Sequence, residues 1–336
     1  MSPDPSPAVR ISRVDVHDDA ALAAWHDLVE RSERHDHGDL ATVWTLPELT
    51  AELRSGRRQV SSAAYVGTVE GRPVVWGMTM LPQLDNLATA DMGVAVPPEG
   101  RRRGYGSAML RHLEAEATAA GRSVLTAEAM WPVTAPRDGV GQAGVEFAQR
   151  HGFSVGNVEV KRVLRCPVPT ERLDELAASA APWHEGYVLR SWTGPVPDDL
   201  LESWAVLTSS LTSEAPTGDL HVEPEAADVE AVRENERLLV AQGRTAYRCV
   251  AIAPDGTAVG YTELVTTVHE PGRAYQWGTL VHGDHRGHRL GLALKVATQR
   301  AVQETGRLDP AGPVDHVNEA LGFEPVEWCG MLQRRL

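Results

Sequence analysis

Apolar positions along the chain fall into two successive series of the same kind. In the first, TADMGVAVPPEGRRRGYGSAMLRHLEAEATAAG moves from a strand-like stretch through a glycine turn into a run with helical spacing. In the second, YQWGTLVHGDHRGHRLGLALKVATQRAVQETG does the same, and placing Gly104 on Gly291 brings Val94 onto Val281 and Gly106 onto Ala293. Each series closes on a short helical segment ending in Gly-Phe, FAQRHGF at Phe153 and VNEALGF at Phe323.

Upstream the halves also agree. Each offers a helical stretch, DDAALAAWHDLVERSERH in one and DDLLESWAVLTSSL in the other. Each then offers a hairpin, AAYVGTVEGRPVVWGMTML around Glu-Gly and YRCVAIAPDGTAVGYTELV around Asp255-Gly256. A repeat on this scale predicts two tandem copies of one α/β unit. The proline-bearing stretch from Arg165 to Glu185 reads as the connection, giving an N-terminal domain over 1–168, a linker over 169–186 and a C-terminal domain over 187–336.

The length of 336 residues suits two domains, each able to bury its own core. The formal charge of -14, from 32 Lys and Arg against 46 Asp and Glu, argues against a general nucleic-acid or membrane surface. Cys166, Cys249 and Cys329 lie far apart without CxxC spacing, so neither a zinc site nor a disulfide framework is expected. MSPDPSPAVR carries no apolar leader, and a cytoplasmic protein is expected.

Against this acidic background RRRGYGSAML, from Arg101 to Leu110, stands out. A helix starting directly after a strand leaves its first N–H groups unpaired at the positive end of its dipole. Gly104 and Gly106 let an anion approach the backbone, and Arg101, Arg102 and Arg103 add charge, so a pyrophosphate is the expected guest. No Gly-Lys-Ser/Thr follows, which excludes the P-loop, and the three-glycine dinucleotide spacing is absent.

Arg101-x-x-Gly104-x-Gly106, preceded by Val94-Ala95-Val96-x-Pro98, resembles the acyl-CoA-binding motif of the GCN5-related N-acetyltransferases, the GNAT superfamily. The second copy, His288-x-x-Gly291-x-Ala293, has histidine where Arg or Gln is usual. Strand, motif, helix and Gly-Phe in order, twice over, extend the resemblance to nearly the whole chain, in a tandem architecture similar to that of mycothiol synthase-like members. It implies two α/β domains, each a twisted mixed sheet flanked by helices, whose fourth and fifth strands splay around the pantetheine arm of acetyl-CoA. It places Val94, Ala95, Val96, Arg101, Arg102, Arg103, Gly104, Tyr105, Gly106 and Ser107 at the cofactor, with strand N–H groups polarising the thioester carbonyl.

The chain departs from the family in two places. The tyrosine that usually protonates the leaving thiolate is Ala148 in one copy and Asn318 in the other. In the second copy RLDPAGPVD lies where the fifth strand belongs and is a poor strand, so that wall of the cleft is expected to be missing. The N-terminal copy is therefore expected to hold the working site. Asp91 and Glu128, on the strands flanking the cleft, are the candidate bases; Tyr105 is a loop or packing residue rather than the missing acid.

No metal is expected: His282, His285 and His288 recur at threes across a strand exit, and His35 and His37 flank Asp36, without a recognisable ligand set. The nine tryptophans read as core and pocket wall. The expected function is an acetyl-CoA-dependent N-acetyltransferase acting on a small-molecule amine by direct attack in a ternary complex, as monomer or homodimer, without nucleic acid or membrane. A non-catalytic acyl-CoA sensor and a protein N-acetyltransferase are the alternatives.

Overall fold

The computed structural model describes residues 9–306, 313–315 and 319–336. In chain order the elements are β1 (Arg10–Arg13), α1 (Asp19–His37), α2 (Leu46–Arg54), β2 (Val60–Val69), β3 (Arg72–Pro82), β4 (Thr89–Ala95), α3 (Tyr105–Ala119), β5 (Val124–Pro132), α4 (Ala143–Arg150) and β6 (Ser154–Arg165). There follow α5 (Thr170–Ala180), β7 (Val188–Thr193), α6 (Leu201–Ser209), α7 (Leu211–Glu214), α8 (Val229–Ala241), β8 (Arg244–Ile252), β9 (Ala258–Thr267), β10 (Ala274–Val281), α9 (Leu290–Gln303), β11 (Pro313–Asp315) and β12 (Glu324–Arg335).

Two compact units result, but not at the expected boundaries. One holds the chain up to Glu159 together with Cys329–Leu336, the other Val160–Trp328. The expected linker over 169–186 is largely helix α5, which buries Leu173, Leu176 and Ala180 inside the second unit. Proline spacing marked this stretch as a connection, yet Pro169 precedes the helix and leaves its interior intact.

In the first unit the strand order is β1-β2-β3-β4-β5-β12-β6. The β2–β3 hairpin turns on Glu70 and Gly71, with φ of 51° and 77°, the pair of left-handed residues that a tight hairpin requires. Helix α1 is capped by Asp18, whose carboxylate accepts from the N–H groups of Ala20 and Ala21 at 3.0 and 3.1 Å. Helix α3 lays Met109, Leu113 and Ala117 on one face of the sheet. It comes so close to β3 that a Cβ on Gly77 would meet the Met109 sulfur at 2.6 Å. On the other face Trp25, Leu22 and Val29 of α1 pack against Trp76 and Met78. The last strand enters beside β5, where the Trp131 ring leaves no room for a side chain on Gly330.

In the second unit β7, β8, β9 and β10 form an antiparallel series. Helix α9 covers one face through Leu290 and Leu294, and Trp204 and Leu207 of α6 cover the other. The expected helix over DDLLESWAVLTSSL breaks at Ser210 into α6 and α7. The fifth-strand position is not vacant: β11 pairs parallel with β10 at Ala274/Val314 and Tyr275/Asp315 and antiparallel with β6. Pro313 is tolerated because it opens the strand, where a missing N–H does least harm.

Candidate functional site

Strands β4 and β5 are paired only at Thr89/Val124, Ala90/Leu125 and Asp91/Thr126. Beyond Asp91, β4 keeps β3 as a neighbour as far as Ala95, while no pairing with β5 continues. The sheet therefore opens at Asp91, and the Met92–Ala95 backbone forms one wall of the opening. An open strand edge of this kind offers N–H groups to an extended ligand.

From β4 the chain passes through a helical turn at Pro98–Gly100 into α3. Arg102 and Gly104 are both left-handed, with φ of 62° and 82°, and reverse the chain. No side chain caps α3, and its first bond runs from the Ala108 N–H to the Gly104 carbonyl at 3.0 Å. The N–H groups of Tyr105, Gly106 and Ser107 are thus left at the positive end of the helix dipole, where they favour an anion. A cavity of about 620 Å³ opens against them, walled by the end of β4, the loop and α4. Phe147 of α4 lies 3.4 Å from where a Cβ on Gly106 would stand, ordinary van der Waals contact, so α4 packs directly against the helix start.

The three arginines separate in role. Arg101 lines the cavity, where it was expected, but its guanidinium is already engaged: its Nε donates to the Val96 carbonyl at 2.9 Å and its two terminal nitrogens to the two Asp36 carboxylate oxygens, each at 2.8 Å. It fastens the loop to the end of α1. Arg102 lines the cavity and is exposed, without an ion pair among the described residues. Arg103 is exposed and lies outside the cavity lining. Tyr105 turns its ring into the core at 4 % exposure, a packing residue whose backbone borders the cavity. Val94, Ala95, Val96 and Ser107 line it as well.

The second copy builds the same turn in a different register from the one expected. Arg286, not His288, corresponds to Arg101: its Nε donates to the Val281 carbonyl at 3.3 Å and its terminal nitrogen to Glu214 at 2.8 Å. The left-handed residues are then Gly287 and Arg289, with φ of 86° and 49°, so Arg289 stands where the first copy has Gly104. Its guanidinium donates to the Ser179 carbonyl at 3.2 Å and stacks 5.0 Å from the Trp183 ring. His288 contacts the Trp183 carbonyl at 3.0 Å, and His285 the Tyr187 hydroxyl at 2.9 Å. Side chains of this loop thus reach the 179–187 segment, a set of contacts without a counterpart in the first copy's loop among the described residues.

The two carboxylates singled out in the sequence share one sheet face. Asp91 is the register partner of Thr126, and Glu128 lies two residues further along β5. The Thr126 hydroxyl donates to the Asp91 carboxylate. Burial raises the pKa of Asp91 above the ordinary aspartate value, with the Thr126 bond acting in the opposite sense. Glu128 is exposed. Neither lines the cavity at the helix start.

Ala148, at the tyrosine position, is buried in α4 and brings no proton donor. Asn318 lies outside the described residues. A pair that sequence spacing did not reveal borders the cavity: the Ser107 hydroxyl and His151 Nε2 are 2.9 Å apart, and the Phe147 and His151 rings lie 4.8 Å apart. Only the position of His151 directly before Gly-Phe hinted that it sits near the cleft. Among the described residues no group of three His, Cys, Asp or Glu is placed to hold a metal, and no helix is long and apolar enough to cross a membrane.

The profile of the Acetyltransferase (GNAT) family matches residues 22–153. No curated protein matches the sequence. Among solved structures, a tandem GNAT protein from the clavulanic acid biosynthesis pathway is 25 % identical, with a TM-score of 0.73 over 98 % of each chain. A GCN5-related N-acetyltransferase from Sphaerobacter thermophilus shares the fold at 13 % identity, TM-score 0.65, over 99 % of this chain and 96 % of that one. The glucosamine N-acetyltransferase region of a fungal multi-domain β-N-acetylglucosaminidase does so at 12 % identity, TM-score 0.64, over 98 % of this chain and 38 % of that one. The profile match thus covers the first copy, and the chain as a whole has the repeated fold of a tandem GNAT protein.

Proposed function

We propose that the protein transfers an acetyl group from acetyl-CoA to the amine of a small molecule, and that the first unit does this work. The observation that carries the reading is the uncapped start of α3 facing a cavity beside the opening of β4 and β5. The pyrophosphate of acetyl-CoA sits on the N–H groups of Tyr105, Gly106 and Ser107, and Arg102, which has no ion pair among the described residues, supplies charge beside it. The pantetheine arm runs along the Met92–Ala95 edge, whose N–H groups polarise the thioester carbonyl.

The neutral amine attacks that carbonyl, forming the N–C bond; collapse of the tetrahedral intermediate breaks the C–S bond. Asp91, at the vertex of the opening, accepts the amine proton directly or through water, a task suited to a carboxylate whose basicity burial has raised. With Ala148 in place of a tyrosine, the thiolate leaves without a side-chain acid from α4 and is protonated by solvent. Glu128, exposed on the same face, attracts a cationic acceptor.

The clavulanic acid pathway neighbour makes small amines of specialised metabolism the first acceptors to try. The test is release of free thiol from acetyl-CoA in the presence of an amine panel, with mass detection of the acetylated product. A chain that binds acetyl-CoA but releases no thiol with any amine would instead be an acyl-CoA sensor, the reading that Ala148 favours.

A further inference from the structure

Resting on that reading of the cavity, we propose that His151 is a proton-linked positioning residue for the cofactor phosphate: binding at Ser107 draws a proton onto His151 and turns the Ser107 hydroxyl toward the ligand. Ser107 stands in the first turn of α3 with its N–H outside the helix ladder and its hydroxyl 2.9 Å from His151 Nε2. Both residues line the cavity. An anion held by the helix start therefore meets the serine directly and the imidazole through it.

The surroundings disfavour the charged imidazole before binding. Burial lowers its pKa below the ordinary histidine value, and Arg111 of α3, Arg334 of β12 and Arg150 of α4 act in the same sense, with Glu114 of α3 opposing them. Two of these charges are engaged by neighbouring groups. Arg334 donates to the His151 carbonyl at 2.8 Å and to Glu114 at 2.5 Å, and Arg150 lies 3.7 Å from Glu146. A bound diphosphate brings negative charge to the one side of the ring that faces the cavity. It offsets the arginine field and favours imidazolium.

Proton uptake also fixes the direction of the hydrogen bond. Neutral His151 can accept from the Ser107 hydroxyl; protonated His151 carries N–H on Nε2 and can only donate to it. The serine oxygen then accepts, and its own proton is released to point at a phosphate oxygen. The proton comes from solvent, and no covalent bond to the ligand is made.

The sign follows from linkage. A group that gains a proton on binding strengthens binding on the acid side of its bound-state pKa and withdraws that support as pH rises through it. The dissociation constant for acetyl-CoA should therefore rise between pH 7 and pH 8.5, by about threefold to tenfold, since one proton changes it by at most tenfold per pH unit. The phosphomonoester of the cofactor itself titrates near pH 6 and acts in the opposite sense, so the window above pH 7 isolates the histidine.

The experiment is calorimetric titration of acetyl-CoA at pH 7.5 in two buffers of different ionisation enthalpy, with wild type and His151→Gln. The glutamine can still meet the serine but does not titrate. The expected result is net proton uptake by wild type that His151→Gln lacks. Equal uptake by the two proteins, or none by wild type, overturns the proposal while leaving the cavity as the cofactor site. Absence of acetyl-CoA binding to wild type instead overturns the reading of the cavity itself. Should His151→Gln fail to fold, proton NMR of the wild-type histidines decides: one imidazole must rise in pKa when acetyl-CoA is added, and a set of unmoved titrations refutes the proposal.

Discussion

The Arg101 guanidinium meets both carboxylate oxygens of Asp36, each at 2.8 Å, and so ties the loop before α3 to the last turn of α1. The pair is partly exposed, at 34 % for Arg101 and 40 % for Asp36, so its contribution to stability is small, about 1 kcal/mol at most. Its effect on binding is larger than its effect on folding because it holds the left-handed Arg102 and Gly104 in place. Arg101→Ala is expected to lower the melting temperature by only a few degrees and to weaken acetyl-CoA binding about tenfold, read by thermal melting and calorimetry. Asp36→Ala should weaken binding in the same direction. An increase in affinity on Asp36→Ala would mean that Arg101, once released, serves the phosphate better than it serves the loop.

The two copies give a second prediction. Gly104 is a left-handed helix cap facing a cavity, whereas its counterpart Arg289 is held by Ser179 and Trp183. Gly104→Asp places a carboxylate against the anion site and should cost at least about a hundredfold in acetyl-CoA affinity. Gly291→Asp should leave binding unchanged. The opposite pattern would move the working site to the second unit and with it the roles given to Asp91 and Ser107.

The repeat, the strand-turn-helix order and the position of the uncapped helix start were legible because each depends on local spacing. The register of the second loop was not. Glycines at 287 and 291 offer two ways to lay the motif on the first copy, and sequence does not reveal that position 289, an arginine, is the left-handed cap. The destination of the last strand was equally hidden. Pairing beside β5 rather than within its own half is a long-range choice that no local pattern encodes. Ser107 and His151 meet for the same reason: α4 is carried across the helix start by the fold. Asp91 was placed by its position on a strand flanking the cleft, yet only its burial, opposed by the Thr126 bond, explains its altered basicity.

Cysteine reactivity follows from burial. Cys166 and Cys249 are 2 % and 0 % exposed, and burial raises both thiols to about 11. At pH 8 only about one part in a thousand of each is thiolate, the nucleophilic form. Native protein should therefore react slowly with an aromatic disulfide reagent at both positions, and all three cysteines should react once it is unfolded in guanidinium. Rapid reaction of Cys166 or Cys249 in the native state would reveal local opening of the second unit. Cys329, which is partly exposed, is then the native thiol to subtract when thiol release reads acetyl transfer.

The sharpest mechanistic prediction concerns Asp91 and Thr126. As a general base Asp91 must be ionised, so activity should fall as pH drops through its raised pKa, at a pH higher than an ordinary aspartate would set. The Thr126 hydroxyl stabilises the carboxylate, and Thr126→Val should move the acid limb of the rate profile further upward while leaving acetyl-CoA binding intact. Asp91→Asn should lower kcat by about a hundredfold to ten-thousandfold with little change in KM for acetyl-CoA. Stability should move the other way. A carboxyl whose folded pKa is raised destabilises the fold once pH exceeds its unfolded pKa, and this penalty grows until pH passes the folded value. At neutral pH Asp91→Asn removes that penalty, so the variant should melt no lower than wild type. A variant that kept its rate, or kept the acid limb where it was, would shift the role of base to Glu128 or to water.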